Sequence, residues 1–570
     1  VSGKVVDENG EPLIGAGGVT KDGKRGSVTD LDGNFVLRLE PSDAVISISY
    51  IGYQTQDIVV GDKQKIDIQL SPDSSNRLND VIVIGYGTTK KQDLTGSVAN
   101  VKMSEIESLP VASIDQAIQG RIAGVDIVST SGEPGGESTI RIRGTRSISA
   151  SNEPLIVVDG VMDAVTDLSD INPDDIASVS ILKDASSTAI YGSKGANGVI
   201  MVTTKTGTTA RPTVKAKVVF GVSQIARELD IMNAEEFIRY RNDRNAIASG
   251  TYYPVYDIQD YENDTNWVDT ITRLGTYQNY NVSLSGKEKK SNYFASFAYT
   301  DEQGVVKGSG MKRFTGRVNL SKTFAKWITL NFKVAGTFQH KDLNKASIGG
   351  SSFSNGAIYL SPLIGPLDKY NPLIDANGVL INTPYASIVN EEYYSRQFSH
   401  NYTGEIILKP VKGLVIKSQN SSNNSDFFRY HYWPSTMPKK DPKEGADALR
   451  YERIYHALSS ENTVSYKAHL PKGHNIDALA GFSASRYTYD YQSVRADGLL
   501  EDDFKWNNFG GIGSKENYTI SSSTTKTVKE SVYGRFNYSY NGRYYFTVTA
   551  RGDGSSNFAA NRKWGFFPSG

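Results

Sequence analysis

From about residue 213 onward the chain alternates in steps of two. Val214, Ala216, Val218, Phe220 and Val222 fall on one side, with Lys215 and Lys217 opposite. Tyr280, Val282 and Leu284 alternate with Asn279, Asn281, Ser283 and Ser285, and Phe314, Val318 and Leu320 with Thr315, Arg317, Asn319 and Ser321. Leu330, Phe332, Val334 and Phe338 oppose Asn331, Lys333 and Thr337, and Val532, Phe536, Tyr538 and Tyr540 oppose Arg535, Asn537 and Ser539. Successive side chains of a strand point to opposite faces, so this period means a long sheet with one apolar and one polar face. About eleven such segments can be counted, and two architectures accept them: a soluble sandwich, or a membrane barrel with a wet lumen. Alternation alone does not choose between them.

The links add a second constraint. Short connections at 287–292, 323–327, 409–413, 470–473 and 541–542 alternate with long ones near 223–276, 341–395, 424–450 and 488–528, and a shorter one near 301–312. Short turns at one end and long loops at the other are the habit of outer-membrane barrels. Loops above roughly 15 residues are rare in compact domains unless they carry function. Composition agrees with a turn-rich β protein: Gly 53 and Tyr 33. No apolar run approaches the ~18 residues of a membrane helix, so any membrane crossing must be by strands. Lys+Arg and Asp+Glu both total 62, which argues against a broad nucleic-acid surface. Cysteine is absent, which excludes structural disulfides and cysteine-based zinc or redox motifs.

Residues 1–70 read as about seven short strands between turn clusters, a small β-sandwich. Val1-Ser2-Gly3-Lys4-Val5-Val6 is already a strand with no signal peptide ahead of it, so the expectation is either a cytosolic protein or numbering from a processed end. Asp30-Leu31-Asp32-Gly33-Asn34 faintly resembles a calcium loop but lacks the closing glutamate, and a tight turn is the better reading. The polar stretch 71–76 is a linker. It delivers the chain to an abrupt apolar run, Val81-Ile82-Val83-Ile84, opened by Asp80 and closed by Gly85-Tyr86-Gly87. β-branched residues between a polar linker and glycines make an extended, detachable strand with free backbone donors and acceptors. Residues 100–208 mix short helices, one starting near Ser113, with strands at 139–144, 154–160 and 199–204.

Here the sequence resembles the SusC-like family of TonB-dependent transporters from Bacteroidetes outer membranes. The stretch 181–200, Ile-Leu-Lys-Asp-Ala-Ser-Ser-Thr-Ala-Ile-Tyr-Gly-Ser-Lys-Gly-Ala-Asn-Gly-Val-Ile, is close to the family's plug signature. Gln116 to Val125, Ile140 to Gly144, Val157 to Val161, and Arg551-Gly552-Asp553-Gly554-Ser555-Ser556 followed by Trp564-Gly565 are similar to further family elements. Met162-Asp163 stands where the family usually has a proline-containing turn.

The resemblance implies a mainly β protein. Residues 1–72 would be a carboxypeptidase-regulatory-like β-sandwich, 73–98 a linker with the TonB box, 99–208 an α+β plug, and 209–570 the first half, ~11 strands, of a ~22-stranded antiparallel transmembrane β-barrel. It implies a chain that stops partway through the barrel. It implies residence in the outer membrane, among its lipids, with the N-terminal domain periplasmic. Asp80, Val81, Ile82, Val83, Ile84, Gly85, Tyr86 and Gly87 would bind TonB, itself driven by inner-membrane energising proteins. A SusD-like surface lipoprotein would act as lid, in a dimer of transporter–lipoprotein pairs. The cargo would be an oligosaccharide or a peptide. Arg141 and Arg143 are candidates for plug–barrel contacts. Tyr252, Tyr253, Tyr256, Tyr261 and Trp267, clustered in the first long loop, are candidate substrate contacts through their ring faces.

Signals for catalysis are poor. The six histidines show no metal-ligand spacing, and neither a nucleophile elbow nor a phosphate-binding loop is present. The expectation is therefore no enzyme, no cofactor, no metal and no nucleic-acid partner. Two rival readings are an adhesive or structural barrel on the same scaffold without transport, and a surface glycosidase, which would need a positioned carboxylate pair.

Overall fold

A computed structural model describes the chain apart from residues 8–9, 21–24, 41–44, 51–52, 54, 62, 71–80, 85–86, 91–96, 104–112, 130, 166, 228, 251–261, 344–356, 366–372, 375–379, 382, 438–444 and 512–514. It divides into two compact units, Val1–Leu94 and Thr95–Gly570.

The first unit is a two-sheet sandwich. Ser2–Val6 lies between Asn34–Val36 and Ile68–Gln69, and a four-stranded sheet runs in the order Gly26–Val28, Gly17–Thr20, Val45–Ser49, Gln56–Val59. The inward alternate residues, among them Val5, Phe35, Ile46, Ile48 and Ile68, form its core. Asp30 Oδ1 accepts hydrogen bonds from the backbone N–H of Asp32 (3.0 Å) and Asn34 (2.8 Å), so this motif is a side-chain-capped turn. The same unit holds a separate hairpin, in which Val81–Ile84 pairs antiparallel with Gly87–Lys90.

In the second unit a five-stranded sheet runs in the order Val98–Lys102, Ile176–Leu182, Val199–Thr204, Leu155–Val158, Val161–Met162, beside a hairpin of Val125–Ser129 with Ser138–Ile142. The short helix Ile114–Ile118 packs Ile114, Ala117 and Ile118 against Ile140, Ile142, Ile176, Val179, Ile181 and Ile200. This is the plug.

Around it runs one antiparallel sheet of twelve strands: Thr213–Ser223, Gly275–Glu288, Ser291–Gln303, Gly310–Ala325, Ile328–Asp342, Glu392–Leu408, Leu414–Trp433, Ala446–Leu470, His474–Leu499, Tyr518–Tyr540, Tyr544–Ser555 and Trp564–Ser569. Each pairs with its sequence neighbour, so this is an up-and-down wall. Its links alternate strictly: 289–290, 326–327, 409–413, 471–473 and 541–543 at one end, and 224–274, 304–309, 343–391, 434–445, 500–517 and 556–563 at the other.

Two expected loops shrink. The spans 424–450 and 488–528 are largely strand, because strands of 20–26 residues continue far past what a bilayer needs. In these far halves polar and aromatic residues stand on both faces, so the two-residue hydrophobic period fades while the backbone ladder goes on. The first long link also holds a helix that a loop reading overlooks, Ala234–Ser249. It opens on a reciprocal cap between Asn233 and Glu236, a signal present in the sequence as Asn-x-x-Glu.

Exposure decides what periodicity could not. Phe220, Val222, Val282, Phe297, Phe332 and Val532 are all at least half exposed, whereas Asn281, Arg313, Asn319, Gln419, Asn423 and Arg551 are buried. A sandwich would hide the first group and show the second. Leaving a large apolar side chain in water forfeits roughly 1.5–3 kcal/mol, so this wall suits a surrounding as apolar as its outer face.

An aromatic row crosses five neighbouring strands in register on that face: Tyr280, Tyr299, Phe314, Phe338 and Phe398. Tyr299 and Phe314 have ring centroids 4.6 Å apart. Trp327, half-exposed in a short turn, marks the other border. From Trp327 to Phe338 is about 36 Å along a strand at ~3.3 Å per residue. Tilted by ~45°, that is close to the ~25 Å apolar band of an outer-membrane wall.

Candidate functional site: the seam between plug and wall

The inner face of the wall meets the plug through ions and hydrogen bonds. Asp159, at the end of Leu155–Val158, takes φ 51° and turns its carboxylate toward the wall. It accepts from the Thr204 N–H (2.9 Å) and hydroxyl (2.6 Å) and lies 3.1 Å from Lys333 Nζ. Gln419 Nε2 donates to its carbonyl at 3.0 Å, and Asn319 Nδ2 donates to Thr204 Oγ1 at 2.9 Å. Burial works to raise the Asp159 pKa, but Lys333, Arg317 and the two Thr204 bonds outweigh it and hold the carboxyl below its ordinary value.

Next along the seam Arg317 Nε reaches Asp175 Oδ2 at 3.2 Å and Lys217 Nζ reaches Asp174 Oδ1 at 2.8 Å. Burial pushes the Asp175 carboxyl up against the pull of Arg317. Asn172 Nδ2, Asp175 Oδ1 and Asn423 Oδ1 are buried without a protein partner and line one cavity of about 30 Å³. That cavity has room for bridging water, which needs two to four polar partners.

The family-like stretch 181–200 forms the far end of the seam. Asp184 Oδ1 accepts from Ser187 N–H at 2.8 Å and starts a short helix, Ala185–Thr188. A 3₁₀ segment, Ala189–Gly195, follows and breaks at Gly192. Arg551 Nη1 donates to the Ile190 carbonyl at 2.6 Å and its Nε to Asp553 Oδ1 at 2.6 Å, while Asp553 Oδ2 accepts from Ser193 N–H at 3.3 Å. Gly192 lies against this pair with φ +59°, and a Cβ there would fall 2.0 Å from Asp553 Oδ2. The Arg-Gly-Asp element is thus a wall strand that grips the plug's signature turn. Two residues on, Lys194 is paired with Asp163 and donates to the Tyr487 hydroxyl at 2.6 Å. Burial would lower the Lys194 pKa, but Asp163 and Tyr487 more than offset it and raise it. Asp163, a departure from the family-like turn, therefore has a partner on the plug and, through Lys194, one on the wall.

The wall halves of this seam, Lys217, Arg317 and Lys333, were legible as the polar sides of alternating strands. Their plug partners were not, because pairing across 43–174 residues of sequence follows from the tertiary fold. Among the described contacts, those of Arg141 and of the Arg143 backbone lie inside the plug: Arg141 pairs with Glu153 and with the Ile140 carbonyl, and the Arg143 backbone N–H donates to Gly124. Trp267 is fully buried, its Nε1 donating to the Ser361 carbonyl at 3.0 Å. It packs with Val268, Ile271 and Ala357 and ties three long links together, so it holds loops and offers no ring face to a ligand. Tyr252, Tyr253, Tyr256 and Tyr261 lie outside the described residues. So do Asp80, Gly85 and Tyr86, whereas Val81, Ile82, Val83 and Ile84 form one strand of the hairpin and Gly87 starts the other. The apolar run, expected to have free backbone donors and acceptors, therefore has a pairing partner that begins three residues after it ends.

Because Asp159 is buried and paired, Asp159→Ala is expected to destabilise the seated plug by roughly 3–5 kcal/mol, leaving Lys333 uncompensated. Thermal unfolding of the detergent-solubilised protein checks this. The depressed carboxyl contributes stability that is present above the unfolded-state value of ~3.9 and lost as pH falls through the lower folded-state value. The variant's deficit should accordingly shrink below about pH 4.

A wet-faced wall, apolar outside and filled by a plug held through polar contacts, is the architecture of a plugged β-barrel. The family model described as the TonB-dependent receptor plug domain matches residues 90–199, and that of the CarboxypepD_reg-like domain matches 1–83. TonB-dependent receptor P3 of Formosa agariphila is 35% identical over 100% of this chain and 56% of its own length. TonB-dependent receptor SusC of Bacteroides thetaiotaomicron is 32% identical over 100% of this chain and 58% of its own. The RagAB peptide importer in its open-open state superposes with a TM-score of 0.75 at 25% identity, covering 86% of this chain and 58% of that one. Over its whole length the chain is similar to TonB-dependent receptors of the SusC-like group, and its residues 90–199 match their plug domain. It spans a little over half the length of the curated relatives it matches.

Proposed function

We propose that this chain carries the plug and the first part of the barrel of an energised outer-membrane importer for oligomeric nutrients. The observation that carries the reading is the seam. Ion pairs and hydrogen bonds can be exchanged for water at small net cost, unlike an interlocked apolar core. A plug so held is seated firmly yet can be pulled. In this reading TonB, energised from the inner membrane, adds to the strand at 80–87 by main-chain hydrogen bonds and transmits the pull. The N-terminal sandwich is periplasmic, the long links are extracellular, and a SusD-like lipoprotein closes over them, two such pairs forming a dimer. Oligosaccharides are the first cargo class. Peptides are the second, favoured by the likeness to RagAB, a peptide importer. An adhesin on this scaffold has no use for a detachable strand or a replaceable seam.

Receptor-dependent uptake should fall to background in cells lacking TonB, with receptor abundance in the outer membrane unchanged. Growth on a panel of glycans and peptides reads this out, and undiminished uptake without TonB would exclude the mechanism.

A further inference from the structure

Gln419 and Tyr487 touch the plug, so the odd-numbered residues of Leu414–Trp433 and His474–Leu499 face inward, as do their register partners on Ala446–Leu470. Beyond the row Asn423, Ala457, Tyr487, this inner face continues in three further rows. They are Ser425, Tyr455, Tyr489, then Phe427, Arg453, Tyr491, then Arg429, Tyr451, Ser493. The carboxylates of the region, Asp426, Glu452 and Asp490, occupy the intervening positions and so belong to the opposite face. On these strands the inner rows therefore carry two guanidinium groups, several rings and no acid, and the plug's Asp163, Asp170 and Asp175 meet only the first of them, at Ser425 and Tyr455.

The guanidinium groups lie over ring faces. Arg453 lies over the Phe427 ring at 4.8 Å, and Arg429 over Phe427 at 5.5 Å and Tyr451 at 5.4 Å. Tyr451 and Tyr491 meet edge to face at 5.2 Å. A cation–ring contact uses none of an arginine's N–H donors, so they stay available to an acceptor. Arg429 Nε is buried and has no hydrogen-bond partner. A donor in that state favours a ligand that brings an oxygen to it.

Taking the import reading as its basis, we propose that Phe427, Arg429, Tyr451, Arg453, Tyr489 and Tyr491 form a cargo-binding wall for acidic oligosaccharides. Sugar rings stack on the tyrosine faces, and carboxylate or sulfate groups pair with the two arginines. Extended peptides are commonly bound by adding to a free strand edge. The strands of this patch are hydrogen-bonded on both sides, so recognition falls to side chains, which suits a sugar chain better.

The test uses the complete receptor with its surface lipoprotein, purified together. Titration calorimetry compares oligouronates and sulfated oligosaccharides with their carboxyl-reduced or desulfated counterparts, and with a polyglutamate peptide. The expected result is about tenfold or tighter binding of an acidic oligosaccharide over its neutral form, weakening with salt. R429Q/R453Q should abolish that preference, R429K/R453K, which keeps the charge but not the planar fork, should retain only part of it, and Tyr451→Ala should weaken every sugar. No acid preference, or a preference that survives R429Q/R453Q, overturns the proposal. Polyglutamate binding as tight as the sugars and indifferent to Tyr451→Ala overturns the sugar assignment. Binding needs no energy input, so its failure is separate from a failure of TonB dependence.

Discussion

A receptor carrying Gly192→Val is expected to reach the outer membrane with its plug poorly seated, and to lose most of its uptake. Gly192 has φ +59° and ψ −140°, a region nearly closed to residues with a Cβ. Forcing valine into it costs on the order of 1–3 kcal/mol. The neighbours add to this. The new Cβ would stand 2.0 Å from Asp553 Oδ2 and 2.8 Å from Arg551 Nε. Neither can swing aside freely, since Arg551 is buried, bonded to the Ile190 carbonyl and lies over the Tyr533 ring at 5.0 Å. Overpacking of that kind costs a further ~1–3 kcal/mol. Limited proteolysis should cut the plug of the variant faster, and large hydrophilic antibiotics should leak inward. Asp553→Ala in the same chain removes the nearest clash and should restore part of the protection. Wild-type proteolysis and uptake in Gly192→Val would refute the grip of the wall on this turn.

The second large effect concerns the pull-strand. Deleting residues 80–87 should reduce uptake to background while barrel assembly, judged by heat-modifiable mobility, stays intact. Val83→Pro is the sharper variant. Recognition by strand addition runs through main-chain groups, and proline removes an N–H from the middle of Val81–Ile84. Val83→Ile, which keeps the backbone and the β-branched side chain, should transport normally. The hairpin refines this expectation. Val83 is the register partner of Thr88, so one edge of the strand is already taken by Gly87–Lys90. In the proposed mechanism TonB would have to add at the other edge or displace that partner. Normal uptake by the deletion would defeat the mechanism outright.

Both effects start from motifs visible in the sequence, but to different depths. The Val-Ile-Val-Ile run declared itself by its β-branched residues and polar approach, whereas its hairpin partner, Gly87-Thr88-Thr89-Lys90, has no apolar period to announce it. The Tyr-Gly-Ser turn and the Arg-Gly-Asp strand were each recognisable as motifs. That one grips the other, across 360 residues of chain, was not. Trp267 shows the opposite error. An aromatic in a long loop looked available for a ligand, yet it anchors a small core assembled from three separate links.

What the sequence determined alone was local and periodic: which stretches are strands, which of their faces is apolar, and where the short turns fall. The two-residue period of side-chain direction and the chemistry of turns act within a few residues, so one dimension suffices to read them. The tertiary structure decided which face is outside, and with it the choice between a sandwich and a membrane wall. It also decided which charges meet, so Asp159, Asp174, Asp175 and Lys194 hold the plug to the wall while Arg141 stays within the plug. Those outcomes depend on burial and on contacts between distant strands, quantities that exist only once the sheet has curled around the plug.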